Sequence, residues 1–242
     1  MDINSIKPGI NRVLIQLHPH NDRVKFLDGY LELDTSFEIQ DHVSVIGKII
    51  SIGPLQPLNT NVNSDVRLDW DPVPVLRNND LVYLDFHAVL MALGQRGMSE
   101  LIQGAVDTFF SQDGHIFVFI PYNAILLSVR DNKFILPNGY VLVEQLMERP
   151  ETGLLLPTYL ENKKLTTKCK VVAAGVANRG YLDKKIYDAV EPLNPGSIIY
   201  VKDGSMIKLE NDQHAVLPKT FHVVQRRWIM GVEESCLPAV EK

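Results

Sequence analysis

The chain is poor in cysteine, in long hydrophobic runs and in clustered positive charge. Its 242 residues include two cysteines, Cys169 and Cys236, whose separation fits neither a disulfide framework nor a zinc site. No hydrophobic run approaches the length of a membrane-spanning helix, and the N-terminus lacks the apolar core of a secretory signal. The sequence therefore predicts a cytoplasmic protein that has neither a structural metal nor a membrane partner.

Positive charge is scarce as well. The chain carries 24 Lys and Arg against 29 Asp and Glu, a formal net charge of −5, and no basic stripe with interleaved aromatic residues. Proteins that bind nucleic acids concentrate Lys and Arg against the phosphates, so we expect no nucleic-acid partner. Neither a phosphate-binding loop nor a dinucleotide fingerprint is present. We therefore expect no cofactor and no enzymatic activity.

A few polar groupings are candidates for chemistry, but each has a simpler structural interpretation. An Asp and a His two residues apart on a strand resemble half of a metal site. Two polar side chains on the surface or in the core of a strand, with no metal, are the commoner explanation. Histidines in a polar loop are usually solvated, and paired carboxylates in a Pro- and Asn-rich segment usually mark a turn. The groupings are Asp85-Phe86-His87, His18-Pro19-His20 and Asp69-Trp70-Asp71.

Short β-like runs separated by turn residues dominate the rest of the chain. β-branched and other apolar residues fill these runs, and pairs such as Asp113-Gly114 and Asp203-Gly204 punctuate them. Many short strands with almost no helix are typical of a small β-barrel. The predicted strands cover 12–17, 30–34, 43–53, 80–86, 115–120, 125–129, 134–143, 171–174, 197–201, 206–209, 221–224 and 228–232.

Two segments depart from this pattern. Residues 54–79 are rich in Pro and Asn and predict a long surface excursion. Residues 99–110 predict a helix, because Ser99 can cap it and apolar residues recur at helical spacing as far as Phe110. Gly104 weakens that helix slightly.

The two halves of the chain repeat one order of parts. Each half has an opening strand, a long polar loop with a glycine followed by apolar residues, a strand ending in glycine (Gly53, Gly175) and a polar excursion. We infer an internal duplication. It predicts an all-β chain of two domains, 1–131 and 132–242, joined by a charged linker at 130–133, with the 99–110 helix inserted in the first.

The most unusual segment of the second half is Gly153-Leu154-Leu155-Leu156-Pro157. Polar residues surround it, with Pro150 before it and a lysine-rich stretch after it. Exposed leucines are unfavourable unless a partner covers them, so the pattern favours a docking loop. A short core strand bounded by prolines is the alternative.

In this context the second half resembles the GroES-type (ten-kilodalton chaperonin) co-chaperonins, over nearly all of 134–234. In that family a strand leads into a mobile loop with a glycine and three apolar residues. A Val-Val-Ala-x-Gly strand, a roof hairpin, a Gly-Asp-x-Val-type strand and a closing Asp-Ile-Leu-Gly-type segment follow. The segments that match are 153–157, 170–175, 195–201 and 228–231.

The resemblance implies two tandem GroES-like small β-barrels and a co-chaperonin that caps a GroEL-type chaperonin ring during ATP-dependent protein folding. The mobile loop would span about 148–168 and dock through Gly153, Leu154, Leu155, Leu156 and Pro157. The first half is less similar. There Gly29, Tyr30, Leu31 and Leu33 occupy the loop tip, and Glu32 replaces an apolar residue, which is unfavourable in an apolar groove.

The energetics of such a loop predict a homo-oligomer. Burying three leucines contributes at most ~9 kcal/mol, and ordering some ten backbone residues costs about as much. One loop should therefore bind weakly, whereas several loops on one assembly reinforce one another. The alternative is a non-catalytic β-barrel assembly module that kept this fold and lost chaperonin binding.

Overall fold

The structure is a computed structural model that describes residues 2–18, 23–26, 29–32, 44–56, 73–93, 109–146, 168–176, 192–202, 204–209 and 217–233. The chain divides into two compact units, Met1–Pro137 and Asn138–Lys242. The described residues form mostly β-strand, in two antiparallel sheets and a separate hairpin, with one α-helix. The all-β prediction is therefore confirmed.

The first unit contains a seven-stranded antiparallel sheet. Its strands are ordered β6-β7-β1-β4-β5-β8-β9. Residues on its apolar face, among them Val13, Ile49 and Val118, form a buried core. The strands are β1 (Arg12–Leu17), β4 (Ile46–Ile52), β5 (Leu81–Leu84), β6 (Phe109–Gln112), β7 (His115–Pro121), β8 (Ile125–Arg130) and β9 (Lys133–Ile135).

Two further elements belong to this unit. A separate hairpin pairs β2 (Arg23–Phe26) with β3 (Gly29–Glu32). The helix α1 spans Phe86–Ala92 and contributes Val89 and Ala92 to the core. The predicted strand 80–86 is wrong at Phe86, because the Asp85 carboxylate accepts a hydrogen bond from Ala88 N at 3.0 Å and so caps a helix.

The second unit contains a six-stranded antiparallel sheet in the order β13-β14-β10-β11-β12-β15. Its own core includes Val141, Val171 and Ile199. The sheet's strands are β10 (Tyr140–Gln145), β11 (Lys168–Ala174), β12 (Ile198–Val201), β13 (Met206–Leu209), β14 (Phe221–Gln225) and β15 (Ile229–Val232).

The second sheet repeats the strand order of the first, apart from β9. β10, β11, β12, β13, β14 and β15 take the places of β1, β4, β5, β6, β7 and β8. The irregularities repeat as well: β1 shifts register against β4 after Leu14, and β10 shifts against β11 after Leu142. A bulge that recurs at the same place in two sheets is a feature of the fold and not a local defect.

Glycine is required at position 47, where β4 lies close to β1. A Cβ on Gly47 would overlap Ile15 Cγ2 and come within 2.8 Å of the Gln16 carbonyl oxygen. Gly47 therefore lies at a close approach of the two backbones, where a side chain does not fit.

Two further predictions about the first unit are wrong. Phe109 and Phe110, predicted as the end of a helix, lie in the edge strand β6, and Phe110 stacks on Phe117 with ring centroids 5.1 Å apart. The rest of the predicted helix, 99–108, lies outside the described residues. The predicted linker 130–133 is the turn of the β8–β9 hairpin, in which Asp131 and Asn132 have φ of 50° and 57°.

Candidate functional site

The segment that contains the predicted leucine tip is bounded on both sides by paired strands of the second sheet. Gln145 at the end of β10 pairs with Cys169 in β11, and Leu146 N donates to the Lys168 carbonyl oxygen at 3.0 Å. The residues on either side of 147–167 are therefore held side by side by antiparallel strands. The predicted docking residues Gly153, Leu154, Leu155, Leu156 and Pro157 belong to this segment and lie outside the described residues.

The first loop leaves its sheet at the equivalent position. Leu17 at the end of β1 pairs with Gly47 in β4, and His18 N donates to the Ile46 carbonyl oxygen at 3.0 Å. The β2–β3 hairpin lies within this connection. Of the predicted tip residues, Gly29, Tyr30 and Leu31 lie in β3, and Leu33 lies outside the described residues.

Three polar side chains hold the start of β11, the strand that follows residues 147–167. Lys168 Nζ lies 2.6 Å from Glu233 Oε1, and the Tyr200 hydroxyl donates to the same oxygen at 3.1 Å. The hydrogen bond to Glu233 raises the pKa of Lys168, and the hydrogen bonds from Lys168 and Tyr200 lower the pKa of Glu233. Both groups are therefore charged at neutral pH and tie the start of β11 to the end of β15.

Cys169, next to Lys168, has no reactive character. Its side chain is fully buried and its Sγ lies 3.5 Å from Met206 Sδ. Burial raises the pKa of the thiol to about 11, so the thiolate that would attack an electrophile or bind a metal is not populated at neutral pH. Cys169 is a core residue of the second unit.

An ion pair in the first unit fixes the end of the predicted 54–79 excursion. Arg130 donates to the Asp80 carboxylate through Nε at 2.7 Å and Nη2 at 2.5 Å, and to the Val75 carbonyl oxygen at 2.9 Å. The Tyr122 hydroxyl donates to the Val73 carbonyl oxygen at 2.8 Å, and burial raises the pKa of Tyr122 to about 12. These contacts hold residues 73–80 against the sheet; residues 57–72 lie outside the described part.

The groupings weighed as catalytic or metal sites do not assemble where the structure describes them. Asp85 caps α1 and His87 lies on its exposed side, so the two do not form half of a metal site. Within the described residues, no group of three or more His, Cys, Asp and Glu could hold a metal ion. His20 and the Asp69-Trp70-Asp71 grouping lie outside them.

Sequence reasoning missed a cluster of two cations on one indole ring. Lys202 Nζ lies 4.6 Å and the Arg227 guanidinium 5.2 Å from the centroid of the Trp228 ring. The adjacency of Arg227 and Trp228 was visible in the sequence. Lys202 joins them only because its backbone N donates to the Trp228 carbonyl oxygen at 2.8 Å.

The chain matches no protein-family model and no curated protein. None of the described helices is both long and apolar enough to cross a membrane.

Proposed function

We propose that this protein is a co-chaperonin, which caps a GroEL-type chaperonin ring through apolar loop tips and assists ATP-dependent protein folding. The observation that carries the proposal is the position of the leucine-bearing segment. It connects two central neighbouring strands, β10 and β11, whose pairing holds its base closed. A segment whose two ends are fixed side by side suits the proposed docking loop.

The fixed base also bears on the energetics. Three leucines contribute about 1.5–3 kcal/mol each when a partner buries them, and ordering each backbone residue costs about 1–2 kcal/mol. A base that is already ordered limits this cost to the residues nearer the tip. The binding of one loop stays weak under this arithmetic, and several loops acting together supply the affinity. Weak individual contacts also allow release when the chaperonin changes state.

The assembly that follows is a homo-oligomer of chains, each of which holds two GroES-like barrels in tandem. The repeated strand order and the repeated bulges support the tandem arrangement. Each chain presents at least its second loop. The proposal includes a cytoplasmic location and no enzymatic activity, cofactor, nucleic-acid partner or membrane partner.

The first loop is less suited to chaperonin binding than the second. Gly29, Tyr30 and Leu31 lie in the paired strand β3, which ends at Glu32. A carboxylate that enters an apolar groove without a partner is strongly unfavourable. We propose that the second loop provides the main contact and that Gly29, Tyr30, Leu31 and Leu33 contribute little.

Co-sedimentation with a GroEL-type chaperonin in the presence of nucleotide tests the proposal. The wild-type chain should co-sediment and Leu155→Asp should not, because the substitution places a charge among the docking leucines. Leu165→Asp makes the same change in the same loop, outside the tip, and should still bind. Matching thermal unfolding curves would show that the variants fold alike.

The outcomes are distinct. Loss of binding by both variants would show that the whole loop matters and not the leucine tip, and binding by both would point to the first loop. No binding by the wild-type chain would reject the co-chaperonin proposal. It would favour the alternative, a non-catalytic β-barrel assembly module, to which the carboxylate of Glu32 in the first loop already lends support.

A further inference from the structure

The cation–aromatic cluster of Lys202, Arg227 and Trp228 lies at one edge of the second sheet. Lys202 follows β12, and Arg227 and Trp228 belong to the 3₁₀ turn Arg226–Trp228 that precedes β15. Lys202 and Arg227 are exposed, and the Trp228 ring is half-buried. Within the part of the chain that the structure describes, neither cation has a carboxylate at ion-pair distance.

The first unit shows that the fold does not need these side chains. At the equivalent place Asp85 N donates to the Ala124 carbonyl oxygen at 2.8 Å, the same backbone hydrogen bond that Lys202 N makes with Trp228. Asp85 there caps a helix and Ala124 is a small buried residue. Because the same backbone contact forms without a cation or an indole, the cluster has no evident role in forming the sheet.

The cluster is instead suited to a negatively charged ligand. Two cations lie near one ring, so their mutual repulsion is relieved when an anion binds between or beside them. Each cation also interacts favourably with the face of the indole, which holds it in place before the ligand arrives. Preorganised cations lose less conformational entropy on binding than free lysine or arginine side chains.

Two exposed side chains with apolar surface lie on the paired strands β12 and β15, next to which the cluster stands, and indicate a polypeptide ligand. Met230, which directly follows Ile229 in β15, is 66% exposed, and Tyr200, two residues before Lys202, is 37% exposed. Trp, Tyr, Met and Arg are the residues that protein–protein interfaces favour. The sequence of the second unit carries 14 Lys and Arg against 13 Asp and Glu. That balance is unlike the strongly basic surface that nucleic acid requires.

We propose that Lys202, Arg227 and Trp228, with Met230 and Tyr200 beside them, form a docking site for an acidic segment of a partner polypeptide. Its carboxylates would contact Lys202 and Arg227, and its apolar side chains would contact Met230 and Tyr200. The site is separate from the leucine tip and does not depend on chaperonin binding.

Tryptophan fluorescence provides a direct test, because the chain has two tryptophans, Trp70 and Trp228. In a Trp70→Phe background the emission of Trp228 is followed during titration with a hexaglutamate peptide at low ionic strength. We expect a saturable change in emission that weakens as salt is added, since the contacts are exposed and screened. A hexalysine peptide should produce no such change.

Charge-neutralising variants identify the residues responsible. Lys202→Gln/Arg227→Gln should bind the peptide about three- to tenfold more weakly, the range expected for two exposed ion pairs. Lys48→Gln/Lys170→Gln removes the same charge from two exposed lysines elsewhere in the sheets and should bind like the parent protein. Anisotropy of a labelled hexaglutamate peptide gives an independent readout that does not use Trp228.

Two results would overturn the proposal. The first is equal weakening by both double variants, which would indicate a general charge effect and no site. The second is tighter binding of a thymidine oligonucleotide than of hexaglutamate, which would indicate a nucleic-acid surface. If the double variant fails to fold, the single variant Lys202→Gln is titrated with hexaglutamate instead and compared with the parent protein.

Discussion

The ion pair between Arg130 and Asp80 allows a quantitative test of what holds the first unit together. The Asp80 side chain is 4% exposed, and it accepts two hydrogen bonds from Arg130 and one from Arg77 N at 2.8 Å. Arg130→Met keeps much of the side-chain volume and removes the cation. The carboxylate would then be buried without its counter-charge, which typically costs about 3–5 kcal/mol.

The expected magnitude lies at the lower end of that range. The Arg130 side chain is 21% exposed, so water can partly replace it, and Arg77 N still donates to the carboxylate. We expect Arg130→Met to lower the free energy of unfolding by about 3 kcal/mol. The double variant Asp80→Ser/Arg130→Met should lower the free energy of unfolding by less, because Asp80→Ser removes the carboxylate that Arg130→Met alone leaves unpaired. Serine already occupies the equivalent position of the second unit, as Ser197.

Urea unfolding followed by circular dichroism measures these changes. Trp228 fluorescence in a Trp70→Phe background reports on the second unit in the same experiment, which matters because a chain of two units need not unfold in one step. The reasoning fails if Arg130→Met costs less than about 1 kcal/mol. It also fails if the double variant is less stable than the single variant, since the energy would then not come from an isolated buried charge.

Three further predictions follow from other contacts. Gly47→Ala should destabilise the first unit by about 1–3 kcal/mol, because the added Cβ would overlap Ile15. Gly9→Ala, where a Cβ meets nothing within 4 Å, should change the stability little. Thermal unfolding of the two variants compares them. The pKa of Glu233 should lie below the usual range for glutamate, so its contact with Lys168 is present at neutral pH and is lost as the pH falls through that lowered pKa. Lys168→Gln should raise the pKa of Glu233 towards the usual range, which an NMR titration measures. Tyr122 should ionise only near pH 12 in an alkaline absorbance titration, and ionisation together with the exposed tyrosines would contradict its burial. Tyr122→Phe should lower the free energy of unfolding in urea by about 1 kcal/mol, because the hydrogen bond to the Val73 carbonyl oxygen is lost.

Most of the strands could be predicted from the sequence because local patterns decide them. The run 12–17 is apolar at four of its six positions and is followed by a polar passage, and β1 has the same limits. Asp113-Gly114 supplies two residues with positive φ, and the β6–β7 hairpin turns there. In such places the preferred backbone conformation and the burial pattern agree, so no information from distant residues is needed.

The errors occur where a local pattern fits two structures. Phe109 and Phe110 suit a helical stripe, and they also suit an edge strand in which Phe110 stacks on Phe117. Leu81–Phe86 reads as one apolar run, but Asp85 can cap a helix and ends the strand at Leu84. The choice depends on which partner strand is nearby, and a window of sequence does not contain that partner.

The all-β class, the internal repetition and the composition of the leucine tip could be read from the sequence, because these depend on residue type and order along the chain. Three contacts required the folded chain: the pairing of β10 with β11 on either side of 147–167, the ion pair of Arg130 with Asp80, and the contact of Lys202 with Trp228. Those contacts join residues 20 to 50 positions apart. They form only when antiparallel strands bring such residues side by side, and the register of the strands, not the residues themselves, selects which of them meet.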